Sequence, residues 1–203
     1  MSSPKIVVFD LGKVLVDFDY SIAARRIVAR CDRALDHAAF FAEHAPLLSR
    51  YELGLVNTQQ FFEQIRSVSG FGGSREEFGN YFADIFTPIP QMVALHAQLR
   101  QRGFPTYIFS NTNELAVRHI KTRFEFFSAF QGYIYSYHHG AMKPDPKLYE
   151  VVERTTQCTG EQIIYIDDLP QNVATAAGRG WHSVLQESPD KTIAALLKLG
   201  VID

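Results

Sequence analysis

Charge of one sign is missing from this chain: 20 Lys and Arg residues nearly balance 22 Asp and Glu, for a net charge of −2. That balance leaves no electrostatic footprint for nucleic acid or for an anionic membrane surface. Long apolar runs are missing too. Behind the short polar stretch at residues 1–4 the first apolar run spans only a few residues, so neither a signal peptide nor a membrane span is expected. Cysteine is scarce. Cys31 and Cys158 lie far apart and outside any metal-binding spacing, a pattern expected of two reduced thiols in a cytoplasmic protein. Internal repeats and low-complexity tracts are absent. What the sequence does have is a hydrophobic fraction of 46%, enough to fill a core, and a charged fraction of 21%, too low for disorder. Its 203 residues suit one domain, or one domain carrying a modest insertion.

Short apolar runs read as buried strands at residues 6–9, 104–109 and 163–166, with shorter ones at 133–135 and 183–185. Between them lie helical patterns: residues 91–101, closed by Gly103; 114–123, with Asn113 as N-cap; 146–156, with Asp145 as N-cap and Pro146 first; 171–177, with Gly178 near its end; and 191–199. This alternation predicts an α/β fold, a parallel sheet with helices on both faces. Residues 20–86 break the rhythm. They show helical periodicity and no strand, as in Phe61, Phe62, Ile65 and Val68, or Phe78, Tyr81, Phe82 and Ile85. We read them as a helical insertion packed over the sheet edge, its aromatics facing neighbouring helices.

Four fragments carry polar groups to the ends of these strands. Asp10 follows the first strand, Ser110 and Asn111 follow the second, Lys143 sits in a loop between Gly140 and Pro144, and Asp167 and Asp168 close another strand. A parallel sheet gathers such ends at one edge, where open α/β folds bind ligands. Each fragment alone has a structural reading: a turn, a helix cap or a surface lysine. Together they supply a nucleophilic carboxylate, a hydroxyl and backbone N–H groups for phosphate oxygens, an ammonium to neutralise charge, and carboxylates for a hard cation such as Mg²⁺. A receiver-type signalling domain uses similar parts but places its acidic pair at the first strand, whereas here the pair comes last.

The order of these fragments resembles the haloacid dehalogenase superfamily of phosphohydrolases, with Asp10, Ser110, Lys143 and the Asp167–Asp168 pair matching its four motifs across essentially the whole chain. The stretch 9–19 and the segments 50–54 and 139–144 are similar to a subgroup that includes a bacterial α-glucose-1-phosphate phosphatase. The resemblance implies a Rossmann-like core of residues 1–16 and 88–203, with a small helical cap at 17–87. It further implies that Asp10 is nucleophile and Mg²⁺ ligand, that the carbonyl of Gly12 and the carboxylate of Asp168 are further ligands with Asp167 close by, and that Ser110, Asn111 and Lys143 hold the phosphate. The implied partner is a small phosphorylated metabolite. The alternatives it leaves are carbon–halogen hydrolysis and a degenerate binding protein without turnover.

Gly12 departs from the pattern, because most phosphatases of the family carry an aspartate there to move the leaving-group proton. General acid–base catalysis typically contributes about 10²–10⁴-fold, while acceleration of phosphate-monoester hydrolysis can reach on the order of 10²¹-fold. Loss of that side chain should slow the reaction without abolishing it, and least for an acidic leaving group such as the anomeric oxygen of a hexose 1-phosphate. Lys13, Asp17, Glu52, His138 and His139 are the substitute proton carriers within sequence reach, and Arg50, Tyr51 and Glu52 are the expected specificity loop.

Overall fold

A computed structural model describes residues 3–33 and 36–203, so Met1 and Ser2 of the polar leader lie outside the described residues. In chain order the elements are β1 (Ile6–Phe9), β2 (Val16–Phe18), α1 (Tyr20–Val28), α2 (His37–Glu52), α3 (Thr58–Ser69), α4 (Arg75–Ala83), β3 (Phe86–Pro88), α5 (Pro90–Gln101), β4 (Thr106–Ser110), α6 (Glu114–Arg123), β5 (Gly132–Tyr135), α7 (Ser136–His139), α8 (Pro146–Thr156), β6 (Ile163–Asp167), α9 (Pro170–Gly178), β7 (His182–Leu185) and α10 (Pro189–Lys198).

Five strands pair in the order β5-β4-β1-β6-β7, and every pairing is parallel. Strand alternation sends successive side chains to opposite faces. Val7 and Phe9 of β1, Ile108 of β4, and Ile164 and Ile166 of β6 join one core cluster with Met92, Leu95 and Leu99 of α5. Ile6, Val8, Phe109, Ile163 and Tyr165 join the other, with Leu148 and Val152 of α8 and Ala176 of α9. Burial on both faces is why these strands read as unbroken apolar runs. The chain starts in the middle of the sheet, builds β4 and β5 to one side, then returns to build β6 and β7 on the other. The reversal places a crevice at the carboxyl ends of β4, β1 and β6.

The insertion is helical as expected, and each of its helices opens on a polar N-cap. Asp19, Asp36, Asn57 and Ser74 accept backbone N–H groups of α1, α2, α3 and α4, with Asn57 and Gln60 forming a reciprocal capping box. Phe61, Phe62, Ile65, Phe78 and Phe82 fill a third core cluster, to which α6 contributes Leu115. Tyr51, buried at the end of α2, bonds its hydroxyl to Thr58 Oγ1 at 2.6 Å and accepts from Leu115 N at 3.2 Å, fixing α2 to α6. Gly54 follows in left-handed conformation (φ +69°), and a Cβ there would stand 2.2 Å from the Tyr137 carbonyl oxygen.

Some sequence expectations need correction. A short antiparallel pair, β2 with β3, ties the two ends of the insertion; neither strand shows in the sequence pattern, and the pair touches the stretch 20–86, read as strand-free, only at Phe86. Three-residue strands carry too little periodicity to be seen, and Pro88 in β3 has no N–H to advertise a ladder. The strand expected at 104–109 runs from Thr106 to Ser110, with Pro105 contributing only its carbonyl to Val7 N at 3.1 Å. Arg50, Tyr51 and Glu52 form the last turn of α2 rather than a loop. Val68, counted with the apolar face of α3, is half-exposed. Among the described residues no helix is long and apolar enough to cross a membrane.

Candidate active site

The crevice collects the four fragments. Asp10 follows the last residue of β1, Ser110 ends β4, and Asp167 ends β6 with Asp168 next in line. Asp10, Asp167 and Asp168 each offer a carboxylate oxygen within 4.8 Å of the others. Lys143 reaches in from the loop before α8, with its side chain only 1% exposed. Its Nζ lies 3.0 Å from Asp10 Oδ2 and 2.6 Å from Asp167 Oδ2, and donates to the Phe109 carbonyl at 3.0 Å. Burial alone would depress this ammonium, but the two carboxylates outweigh it and hold its pKa above the ordinary lysine value.

Asn111 explains how the lysine is aimed. Its Oδ1 accepts Lys143 N at 2.8 Å and its Nδ2 donates to Lys143 O at 3.0 Å, so one side chain clamps both backbone groups of that residue. The Lys143–Pro144 peptide is cis. Ser110 is buried at the bottom of the crevice, its hydroxyl 3.3 Å from the Asn111 carbonyl oxygen.

The three carboxylates differ in what surrounds them. Asp167 is fully buried and accepts Lys143 Nζ, the Tyr165 hydroxyl, Leu169 N at 2.8 Å and Asn172 Nδ2 at 2.9 Å. Four donors use about all the acceptor sites a carboxylate has. Burial would raise its pKa, but Lys143 and the other donors bring it below the usual value. Asp10 accepts Leu11 N at 2.6 Å, and burial pushes its carboxyl up to about 7, with Lys143 opposing and Asp167 adding to the rise. Asp168 is partly exposed and is raised by burial and by Asp167. Three carboxylates around one ammonium leave an excess of negative charge in a poorly solvated crevice. That donor set fits a hard divalent cation such as Mg²⁺, which takes one or two carboxylates and leaves other positions to water and phosphate. Asp167, with its lone pairs already engaged, suits such an ion less well than Asp10 and Asp168.

Gly12 faces an aromatic wall. A Cβ on it would stand 2.7 Å from Phe18 Cε1 of β2, so the Phe18 ring occupies the space a side chain at position 12 would need. Phe18 packs on Tyr20 and Phe86 at ring separations of 5.4 and 5.9 Å. Of the substitute proton carriers, Lys13 bonds Asp17 and donates to the Phe18 carbonyl at 3.0 Å, which also holds the Asp17 carboxyl below its usual pKa. His138 and His139 lie exposed on α7 and do not line the crevice. Arg50 is exposed and does not line it either. Glu52 does, and burial pushes its carboxyl up to about 7. Asn113 is fully buried. Its Oδ1 caps α6 by accepting Ala116 N at 3.0 Å, while Nδ2 faces Glu52 and Tyr20 without completing a hydrogen bond of normal geometry.

Sequence reasoning missed Tyr165 and Asn172, which support Asp167, and Phe18, Tyr20, Leu48 and Phe86, which wall the crevice. Asn172 had a signal: it lies in the first turn of α9, behind Pro170 at the helix start and five residues after Asp167. The wall residues had none, because it takes the β2–β3 pairing to bring Phe18 beside Phe86.

Residues 4–180 match the family of haloacid dehalogenase-like hydrolases, and the chain belongs to that family. It is 23% identical to acyl-CoA dehydrogenase family member 10 of Mus musculus over 96% of this chain and 19% of that protein, so it spans about a fifth of that relative's length. It is 22% identical to a sesquiterpene phosphatase of Aspergillus oryzae over 87% of this chain and 86% of that one. Among solved structures, a HAD family enzyme from Bacteroides thetaiotaomicron is similar, with a TM-score of 0.81 at 20% identity over 91% of this chain and 94% of the other. The same enzyme in complex with magnesium and inorganic phosphate gives a TM-score of 0.75 at 19% identity, over 90% and 94%. At these identities the likeness to the bacterial enzyme is one of fold.

Proposed function

We propose that this protein is a Mg²⁺-dependent phosphatase that hydrolyses a small phosphorylated metabolite through an aspartyl phosphate on Asp10, in a core formed by residues 1–16 and 88–203 under a cap of residues 17–87. The observation that carries this reading is Lys143, buried between Asp10 and Asp167 at the crevice of a parallel sheet. The naming of one relative as a phosphatase supports the reaction class.

Asp10 attacks phosphorus, and the bond from phosphorus to the leaving oxygen breaks with its electron pair passing to that oxygen. Glu52, half-protonated near pH 7 because of its burial, gives its proton to the leaving group. Water then attacks the aspartyl phosphate, Glu52 takes the proton from that water, and inorganic phosphate leaves with Asp10 restored. Ser110 and Lys143 hold the phosphoryl oxygens, the ammonium offsetting their charge. Asp167 and Asn111 fix Lys143 from its two ends. Asp10, Asp168 and the Gly12 carbonyl would hold Mg²⁺, which would supply the remaining charge neutralisation. The acidic cluster favours phosphate over carbon–halogen substrates, since halide displacement has no use for a cation held by carboxylates. Two unpaired thiols among the described residues fit a cytoplasmic enzyme.

The reaction is tested by inorganic phosphate release from phenyl phosphate with and without Mg²⁺. Release is expected to need the metal and to vanish in Asp10→Asn. Silence across a broad phosphate panel would overturn the phosphatase reading and leave a binding protein. Hexose 1-phosphates, whose anomeric oxygen leaves readily, are expected to outpace ethyl phosphate; equal rates would remove the leaving-group argument drawn from Gly12.

A further inference from the structure

We propose that the leaving group of the substrate is an apolar organic group, aryl or hydrocarbon, seated against Phe18, Tyr20, Leu48 and Phe86. This rests on the phosphatase reading above and narrows its substrate.

The argument starts from what faces the phosphate. Beyond the residues that hold phosphate and cation, the crevice is walled by Phe18, Tyr20, Leu48, Phe86, Met142 and Leu169. Leu169 is 41% exposed, an apolar side chain held at the mouth of a polar site. The polar groups beside that wall are few. Lys13 is taken by Asp17 and the Phe18 carbonyl, Asn111 by Lys143 and Asn172 by Asp167, which leaves Glu52, Thr112 and the Tyr20 hydroxyl as the hydrogen-bonding side chains there. A hexose brings several hydroxyls, and each one buried without a partner forfeits its hydrogen bonds to water. An apolar group gains from the same wall.

The wall also continues beyond the crevice. Tyr20 and Leu48 line a second recess, between α1 and α2, which Ala23, Ile27, Phe41 and His44 extend into the helical layer. Its lining is almost entirely apolar, and it is much narrower than the crevice. A slender tail lying along Tyr20 and Leu48 stays on apolar surface from the crevice toward this recess, whereas the hydroxyls of a polyol on that path find few partners. Gly12 fits the same picture: the absent side chain lets the Phe18 ring close on the phosphate site.

A para-substituted series of phenyl phosphates carrying hydrogen, ethyl, butyl and hexyl groups holds leaving-group acidity nearly constant while apolar area grows. Full transfer from water is worth about 0.8 kcal/mol per methylene, roughly 4-fold in kcat/KM. We expect a gain of two- to four-fold per methylene over the first few, with kcat/KM for the butyl ester well above that for glucose 1-phosphate. Leu48→Asp is expected to shrink the gain, and His44→Trp to stop it at a shorter chain. A flat series in the wild-type protein, or a preference for glucose 1-phosphate, would overturn the apolar assignment even while phenyl phosphate is still hydrolysed. No release from any ester would instead sink the phosphatase reading beneath it.

Discussion

At Glu52 a carboxylate has been carried on the end of a helix into a place where ionisation is opposed. Its pKa is pushed from the ordinary 4.5 up to about 7 by burial, with Asn113 pulling the other way. Two results follow for Glu52→Gln. Hydrolysis of an alkyl phosphate should fall by about 10²–10³, within the usual range for a proton carrier. A nitrophenyl phosphate, whose leaving group needs no proton, should give a burst of phenol followed by slow turnover, because water activation still lacks its base. An equal loss on both substrates, with no burst, would assign Glu52 a structural role only. Stability should respond as well. The folded protein holds this proton to higher pH than the unfolded chain does, so the contribution is complete below about pH 4.5 and is lost as pH rises through about 7. The full shift corresponds to at most about 3 kcal/mol. Urea midpoints of wild type and Glu52→Gln should therefore diverge between pH 5 and pH 8, with the variant gaining relative to wild type.

At the scale of elements, the site depends on how one loop is pinned to one strand end. Asn111→Ala removes both bonds to the Lys143 backbone, at about 1–3 kcal/mol. It should lower kcat more than tenfold, with only a small change in KM; unchanged kcat in a folded variant would show that Lys143 needs no such clamp. This pinning also shows where sequence reading stopped. Asp10, Ser110 and the acidic pair were legible because they follow apolar runs that a doubly covered sheet makes continuous, and Lys143 because glycine and proline flank its loop. The helices of the insertion were legible in their spacing and polar starts. Asn111 was legible only as a loop residue offering its backbone N–H to phosphate, since a sequence does not show what its side-chain amide faces. Asp167 likewise read as a metal neighbour, and its four donors became countable only in three dimensions. The wall of Phe18, Tyr20 and Phe86 was hidden because its residues are drawn from both ends of the insertion.

For the molecule as a whole, the acidic crevice is a stored repulsion that a cation would relieve. A ligand that binds only the folded state at a hundred times its Kd adds about 2.7 kcal/mol, and a chain of this length gains roughly 2–4 °C per kcal/mol. Thermal melts should therefore rise by about 5–10 °C with saturating Mg²⁺ and return with chelator, a measurement independent of turnover. Asp168→Asn should lose most of this rise. A melt that is indifferent to Mg²⁺ would count against a metal centre.

The ladder between Val16–Phe18 and Phe86–Pro88 has one more consequence. The chain enters and leaves the insertion on the two paired strands of this separate ribbon, so the whole excursion from Asp19 to Ile85 hangs from a doorway only one strand spacing wide. Whatever is threaded through that doorway, β1 and β4 need not move, and the Asp10 carboxylate is insulated from the lineage of its roof. Phe18 and Phe86 are the doorposts themselves, so any exchange of helices inherits the same aromatic threshold. Variation in what the protein recognises can then proceed in the helices while the chemistry below stands still.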